Sequence, residues 1–588
     1  MRKYNFQVTP PTKDPNLVYP QVKGINYEDF ELPARGLTPG QINTALTELF
    51  NYESVQKENF LGYQANQKLD YNSDLNQYLN YHINNIGDPF QSGNFTVNSK
   101  FVERAVLDYF AALWNAQWPH ENDPSLPYDE WKDSYWGYVL SMGSSEGNVY
   151  GLWNARDYLA GKFLLEDPEI EHIAKEASRD GRKAAVQHRL IYYQANPSDD
   201  NPNEYTPIAF YSQDTHYSII KFMRVLNIST FYEKATELGY ASPLVYPYDY
   251  PPNFSKQYID RSGWPFEVPS NEDGSVYIPA LLKLVEFFAS QGYPALVSFN
   301  YGTTFKGAFD NAKAAVESLV PILKKYGLYE RKVYYDPNDK TKYDIRNGFW
   351  FHVDGALGSA YMPFIEMALN NGIIKAPENY EFPVFDFRIK EIHSIVMSGH
   401  KWIGAPWPSG VFMTKVKYQL LPPDNPEYIG SLDTTFAGSR NGFSALILWD
   451  YLAKNSYDSL ITKAYSLEVL AAYAESQLIK LEQSLGIDLW VERSPLSLTI
   501  RFKQANPDIV FKYSLSGEVL YVNGEERQYS HIFIMEHVTK NLINNFIADL
   551  SQDGAFPEQA AKTGLPENLV APNAKRLLYV PHTGRGFK

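Results

Sequence analysis

Cysteine is absent from the 588 residues, so disulfides, thiolate nucleophiles and cysteine-ligated metals are excluded, and no metal is expected. Positive charge is in deficit: 53 Lys and Arg stand against 68 Asp and Glu, a formal charge of -15. That balance opposes non-specific attraction to nucleic acid or to an anionic membrane surface. Long apolar runs are missing as well. The opening stretch MRKYNFQVTPPTKDPNLVYP lacks the apolar core of a secretion signal, and no run approaches the roughly 20 apolar residues of a membrane span. These absences lead to the expectation of a cytoplasmic protein with a small-molecule partner, no nucleic acid and no membrane.

What is present is aromatic and globular. Hydrophobic residues make up 44% and aromatics 15%, enough for a sizeable core and incompatible with general disorder. The length predicts one large domain with smaller flanking parts. Residues 1–100 are polar and rich in Asn and Tyr, with helices expected near Pro39–Phe50 and Leu69–Asn84, and read as an arm or cap. Residues 101–440 alternate: helix FVERAVLDYFAALWN, strand YWGYVLS, helix GNVYGLWNARDYLAG, strand PIAFYS, helix HYSIIKFMRVLN, and later strands ALVSFN, GFWFHVD and EIHSIVMS. Strands alternating with helices predict an α/β fold with a mostly parallel sheet covered on both faces. Residues 441–588 carry two long helical stretches, strands SLTIRF and SHIFIM and a last helix, a small α+β domain followed by a Pro-rich tail from Gly554. Two stretches, 243–274 and 329–348, break the rhythm and read as long loops rich in Pro, Tyr and charge.

Chemistry collects at the ends of the predicted strands, where open α/β sheets place ligands. In SMGSSEGNVYGL, Ser144 and Ser145 sit between glycines just ahead of a helix, whose unpaired amides suit a phosphate. In HVDGALGSA, Asp354 ends an apolar strand. In SQDTHYSIIKF, His216 offers a flat polar ring at a helix start, and in SIVMSGHKWIGAPWPSG, Lys401 stands at the mouth of a buried strand. Each alone also fits an ordinary role: an N-cap, a structural salt bridge, a packed histidine, a surface lysine. Together they answer one ligand, pyridoxal 5'-phosphate. Lysine forms a Schiff base with its aldehyde, carboxylate keeps its ring nitrogen protonated, the helix start takes the phosphate and the histidine stacks on the ring.

HVDGALGSA, SGHKW, SSEGN, THYS and NYGTTFKGAFD, in that combination, resemble the pyridoxal-phosphate-dependent group II amino-acid decarboxylases. NNIGDPF and TTFAGSRNG bring the chain close to the branch of histidine, valine and methionine decarboxylases. The resemblance covers roughly residues 80 to 510. It implies fold-type I: a large α/β domain on a mostly parallel seven-stranded sheet, a small C-terminal α+β domain and an N-terminal helical arm. It also implies a homodimer with shared active sites. Carried across residue by residue, Lys401 resembles the cofactor-bearing lysine, Asp354 the partner of the ring nitrogen and His216 the stacking histidine. Ser144, Ser145 and His400 resemble phosphate contacts, and Ser398 is expected among the cofactor-binding residues. Ala356 would pack near the ring and Thr303 would face the phenolic oxygen. Gly438 and Ser439, with Arg440, resemble a loop that reaches the partner's cofactor site.

The implied activity is decarboxylation of an L-amino acid to a primary amine and carbon dioxide. Apolar residues dominate near the motifs and arginine is scarce, so a neutral side chain of the methionine, valine or leucine kind is expected. Histidine or an aromatic amino acid is the alternative. Another fold-type I outcome, such as aldehyde-forming oxidative decarboxylation, stays open.

Overall fold

The structure is a computed structural model and describes residues 22, 24–71, 74–118, 127–166, 193–335, 339–378, 380–422 and 426–556. The Pro-rich tail read beyond Gly554 lies, from residue 557 on, outside the described residues. In chain order the strands are β1 (Tyr135–Leu140), β2 (Ile208–Phe210), β3 (Ser229–Thr230), β4 (Ala295–Asn300), β5 (Arg331–Tyr334) and β6 (Tyr343–Arg346). They continue with β7 (Phe349–Asp354), β8 (Ile392–Ser398), β9 (Gly410–Lys415), β10 (Thr499–Lys503), β11 (Gly517–Val522) and β12 (Glu525–Phe533).

Seven of these form one sheet in the order β1-β9-β8-β7-β4-β2-β3. Only β9 runs against the rest, pairing antiparallel with both β1 and β8, so the expected mostly parallel α/β sheet is present. Every residue of β4, β7 and β8 is buried, which is why their sequences read as continuous apolar runs rather than alternating ones. The two-residue period still sorts their side chains. Phe349, Phe351 and Val353 of β7 join the core beneath one face, with helices Ile278–Ala289 and Gly358–Asn370. Trp350 points the other way, toward helix Ser144–Leu159, and so by the same period do His352 and Asp354. Helix Ser144–Leu159 lies across β7, β8 and β9. It approaches closely because residue 151 is glycine: a Cβ there would stand 3.0 Å from the His352 ring.

The C-terminal part is a three-stranded antiparallel sheet, β10-β12-β11, packed by helices Lys540–Leu550 and Tyr457–Leu485. The latter starts on a Ser456 cap and stops at Gly486, whose φ of 64° suits glycine. At the other end, helix Pro39–Glu58 forms behind a Thr38/Gln41 capping box, yet buries only Ala45. Ile42, Leu46, Phe50 and Val55 remain exposed on it. The helix expected over Leu69–Asn84 does not form; among the described residues there, only a 3-10 turn, Asn76–Asn80, is helical. Asn, Asp and Ser crowd that stretch and compete for the backbone with their own side chains.

Other differences are additions. The 329–348 stretch is not wholly irregular: RKVY and YDIR pair as the β5/β6 hairpin. Strand β9 was not expected, because GVFMTK is a short run without alternation, wedged behind the Pro- and Gly-rich turn that carries Lys401. The 243–274 stretch is irregular apart from a 3-10 turn, Lys256–Tyr258, and one side of it forms the wall of a cavity.

Candidate functional site

The carboxyl ends of β4, β7 and β8 open onto a cavity of about 190 Å³ lined by Asp354, Ser398, Thr303, Ala356 and the start of helix Ser144–Leu159. Asp354 is held there as an acceptor. Its carboxylate takes Asn148 Nδ2–H at 2.8 Å and the Ala356 backbone N–H at 3.2 Å. Behind Asn148 stands a chain of bonds with one consistent set of protons. The Ser394 hydroxyl accepts Trp350 Nε1–H at 3.2 Å and lies 2.8 Å from His352 Nδ1. Its own proton therefore goes to Nδ1, and His352 Nε2–H donates to Asn148 Oδ1 at 2.9 Å. Burial holds the His352 pKa down at about 4, so the ring stays neutral and keeps that tautomer. The amide of Asn148 is thereby turned with its NH2 toward Asp354 and toward Ser218 Oγ, 3.1 Å away.

Ser218 passes the same order to His216. Its hydroxyl, already accepting from Asn148, lies 2.8 Å from His216 Nδ1, and its backbone N–H donates to the same nitrogen at 3.3 Å. Nδ1 is therefore an acceptor and Nε2 carries the proton. Burial lowers the His216 pKa, with Asp354 opposing and Lys401 assisting. His216 also caps helix Tyr217–Val225 while lining the cavity, so the ordinary role expected of it is filled by the same residue.

Lys401 follows the end of β8 on a turn closed by bonds from Gly404 and Ala405 N–H to Gly399 O. Its side chain lines the cavity and keeps some exposed surface, while its amine sits deep inside the protein. That burial brings its pKa down to about 8, with Asp354 pulling upward. A lysine so placed is uncharged in an appreciable fraction of molecules near neutral pH, the form that attacks a carbonyl. Its amine donates to Gln64 Oε1 at 2.5 Å, and its backbone oxygen accepts Asn66 N–H at 3.1 Å. The N-terminal arm thus reaches the lysine, which nothing in the sequence around Gln64 signals.

The helix start is a tight seat. Gly143 has φ 68°, and a Cβ there would lie 2.6 Å from His400 Cε1, so only glycine fits. Ser398 Oγ accepts Ser144 N–H at 3.1 Å and donates to Ser144 Oγ at 2.9 Å. Burial and the neighbouring Lys401 cation hold His400 at a pKa of about 4, leaving it neutral. Thr303 Oγ1 accepts Ala308 N–H at 2.9 Å and keeps its own proton for a further acceptor.

One cavity therefore brings together Ser144, Ser145, His216, Thr303, Asp354, Ala356, Ser398, His400 and Lys401. Gly438 and Ser439 do not line it; Ser439 Oγ instead accepts Asn84 Nδ2–H at 3.1 Å. Arg440 is committed inside its own chain, in a buried ion pair with Glu103 and a bond to Gly87 O at 3.1 Å. Sequence reasoning gave Asn148, His352, Ser218 and Gln64 no role. The first three lie within quoted motifs, and period-2 placement of His352 on the Asp354 face was the available signal.

A second, larger cavity of about 760 Å³ shares His216, Tyr217, Thr304, His400 and Lys401 with the first. Its wall contains the expected apolar groups, among them Pro251, Phe254, Tyr258, Phe305 and Phe533, interrupted by Asp214, Glu267, Lys306, Arg501 and Glu518. Among the described residues no group of three or more His, Asp or Glu is placed to hold a metal, and no helix is long and apolar enough to cross a membrane.

Residues 266–452 match the pyridoxal-dependent decarboxylase conserved domain. L-Methionine decarboxylase from Streptomyces sp. 590 superposes with a TM-score of 0.77 at 41% identity, over 90% of this chain and 97% of that one. Serine decarboxylase 3 of Oryza sativa subsp. japonica is 28% identical, covering 90% of this chain and 89% of that protein. Histidine decarboxylase of Solanum lycopersicum is 26% identical, with 90% and 93% covered. The chain belongs to the pyridoxal-phosphate-dependent group II decarboxylases. It is accordingly a carboxy-lyase of fold-type I. The residues fit the cofactor: a buried amine of lowered pKa, a carboxylate fixed as an acceptor and a glycine-tight helix start surround one cavity.

Proposed function

We propose that the chain removes the carboxylate of a neutral L-amino acid, of the methionine, valine or leucine kind, to give the primary amine and carbon dioxide. The observation that carries this reading is the meeting of Lys401, Asp354 and the Ser144 helix start in one cavity that opens through Lys401 into a larger one. When bound, pyridoxal phosphate supplies an aldehyde for the substrate amine and a π system that accepts the electrons released as carbon dioxide leaves.

The chain's own residues do the rest. Lys401 would hold the cofactor through its aldehyde, its uncharged amine being the form that attacks a carbonyl. Asp354, oriented by Asn148, would keep a proton on the ring nitrogen. Ser144, Ser145, Ser398 and His400 would seat the phosphate at the positive end of the helix. Thr303 would offer its proton to the phenolic oxygen, Ala356 would leave room beside the ring, and His216 would pack against the ring. Aromatic groups of the larger cavity exclude water from the side chain, and the 41% likeness to a methionine decarboxylase supports an apolar substrate. Histidine is the second reading, supported by the carboxyl groups in that same wall, which would accept an imidazole N–H. The chain works as a homodimer: the apolar residues left uncovered on helix Pro39–Glu58 support a partner there, and Gly438 and Ser439 would serve the partner's site.

The test is a panel of L-amino acids with carbon dioxide and amine both quantified. Methionine, valine or leucine should give the highest kcat/KM, with amine and carbon dioxide in equal amounts. Glutamate as the best substrate, or an aldehyde or keto acid in place of the amine, would sink the proposal.

A further inference from the structure

The larger cavity contains hydrogen-bonding capacity that the described residues leave unused. Gln64 Nε2, Glu267 Oε1 and Ser270 Oγ are buried without a partner, and all three residues line it. Glu267 is only 3% exposed. The cations in the same wall are already engaged. Lys306 pairs with Asp214 at 3.1 Å, and Arg501 pairs with Glu492 and donates to Glu272 O at 2.9 Å. Glu267 and Glu518 are then carboxyl groups in excess, close enough to Asp214 to feel its charge. Burial first and then that charge raise Glu267 to about 8; burial and Asp214, opposed by Lys306 and Arg501, raise Glu518 to about 7.

We infer that this wall reads the charge at the end of the substrate side chain. Glu267 and Ser270, with Asp214 and Glu518 on the same wall, accept a neutral or cationic hydrogen-bonding end and turn away a carboxylate. This deepens the reading of the larger cavity as the side-chain pocket and rests on it. Among the described residues of this wall, a side-chain carboxylate would meet no ammonium or guanidinium without an anion beside it, except Lys401 itself, and would have to approach Asp214. A neutral amide of the same shape meets no such repulsion and can use Glu267 Oε1 and Ser270 Oγ.

The experiment uses two amines of equal shape, 4-aminobutanamide and 4-aminobutanoate, titrated calorimetrically into the cofactor-loaded enzyme at about pH 9, above the raised pKa of both glutamates, where each carries its charge. They are the amines that glutamine and glutamate would release, and their binding does not depend on turnover. The amide should bind at least about tenfold more tightly, a difference of about 1.4 kcal/mol. In Glu267→Gln/Glu518→Gln the gap should shrink to within about threefold. Should that double variant fold poorly, Glu267→Gln alone should narrow the gap in the same direction. Equal affinities in the wild type, binding of neither amine, or an unchanged gap in well-folded variants would overturn the inference. Release of carbon dioxide from methionine, measured separately, tells a failure of this inference from a failure of the proposed reaction.

Discussion

Replacing Asn148 by leucine would remove a hydrogen-bonding hub while keeping its volume. The amide donates to Asp354 at 2.8 Å and to Ser218 Oγ at 3.1 Å, and accepts from His352 Nε2 at 2.9 Å. A bond to a charged acceptor contributes about 1.5–3 kcal/mol, and leaving a buried N–H such as that of His352 unpaired costs about 1–3 kcal/mol more. The first of these falls on the proposed function, since Asp354 loses the donor that orients its carboxylate in the cavity. At about 1.4 kcal/mol per factor of ten, cofactor affinity and kcat together should fall about 10- to 150-fold. The second falls on the fold and should appear as lower thermal stability of the cofactor-free chain. Absorbance titration with cofactor, carbon dioxide release and a melting curve separate the two. Cofactor affinity and kcat both within twofold of wild type would refute the claim that Asn148 positions Asp354. His352→Leu offers a check from one bond further away: it should impair cofactor binding less than Asn148→Leu, because the amide keeps its donors but can rotate.

Lys401→Ala should abolish turnover and the visible absorption of the loaded enzyme without unfolding it; turnover at the wild-type rate would remove the central assignment. Asp354→Asn should keep much of the cofactor binding and lose most of kcat, since an amide does not hold a proton on the ring nitrogen, and an unchanged kcat would mean that another carboxylate serves. Because burial lowers the Lys401 pKa from 10.5 to about 8, the cofactor-free native state releases this proton first as pH rises, and the unfolded chain binds more protons between about 8 and 10.5. Stability from this group therefore rises with pH across that window. The stability advantage of Lys401→Met over wild type should narrow between pH 8 and 10.5 in chemical denaturation, and a constant difference would contradict the depressed pKa. Arg440→Ala should destabilise the chain by about 3–5 kcal/mol, as it leaves the buried Glu103 carboxylate without its counter-ion, held only by the Asn85 and Val139 N–H groups; a variant as stable as wild type would mean the pair is replaceable by water.

The parts of the site that could be read from the sequence are those in which chemistry and secondary structure share a few consecutive residues. Asp354 ends a largely apolar strand, Lys401 follows the end of another by three positions, and Ser144 begins a helix after glycine; each signal is local, and the parallel sheet then gathers their ends at one edge. His352 and Asn148 were hidden for a physical reason. A buried polar residue inside an apolar run looks like a blemish until its partner is known, and the partner lies 204 positions away. Gln64 shows the limit more sharply, for its contact with Lys401 spans 337 positions and comes from an arm whose own sequence is polar and irregular. The larger cavity has the same origin. Glu267, Ser270, Lys306, Arg501 and Glu518 come from three separate stretches of chain, so no window of sequence contains the pocket, and the apolar lining expected from the motifs' neighbours covers only part of it. The proposed choice of substrate thus rests where local reasoning is weakest. Motifs carry the residues expected to seat the cofactor, while the wall proposed to read the side chain depends on how distant segments meet.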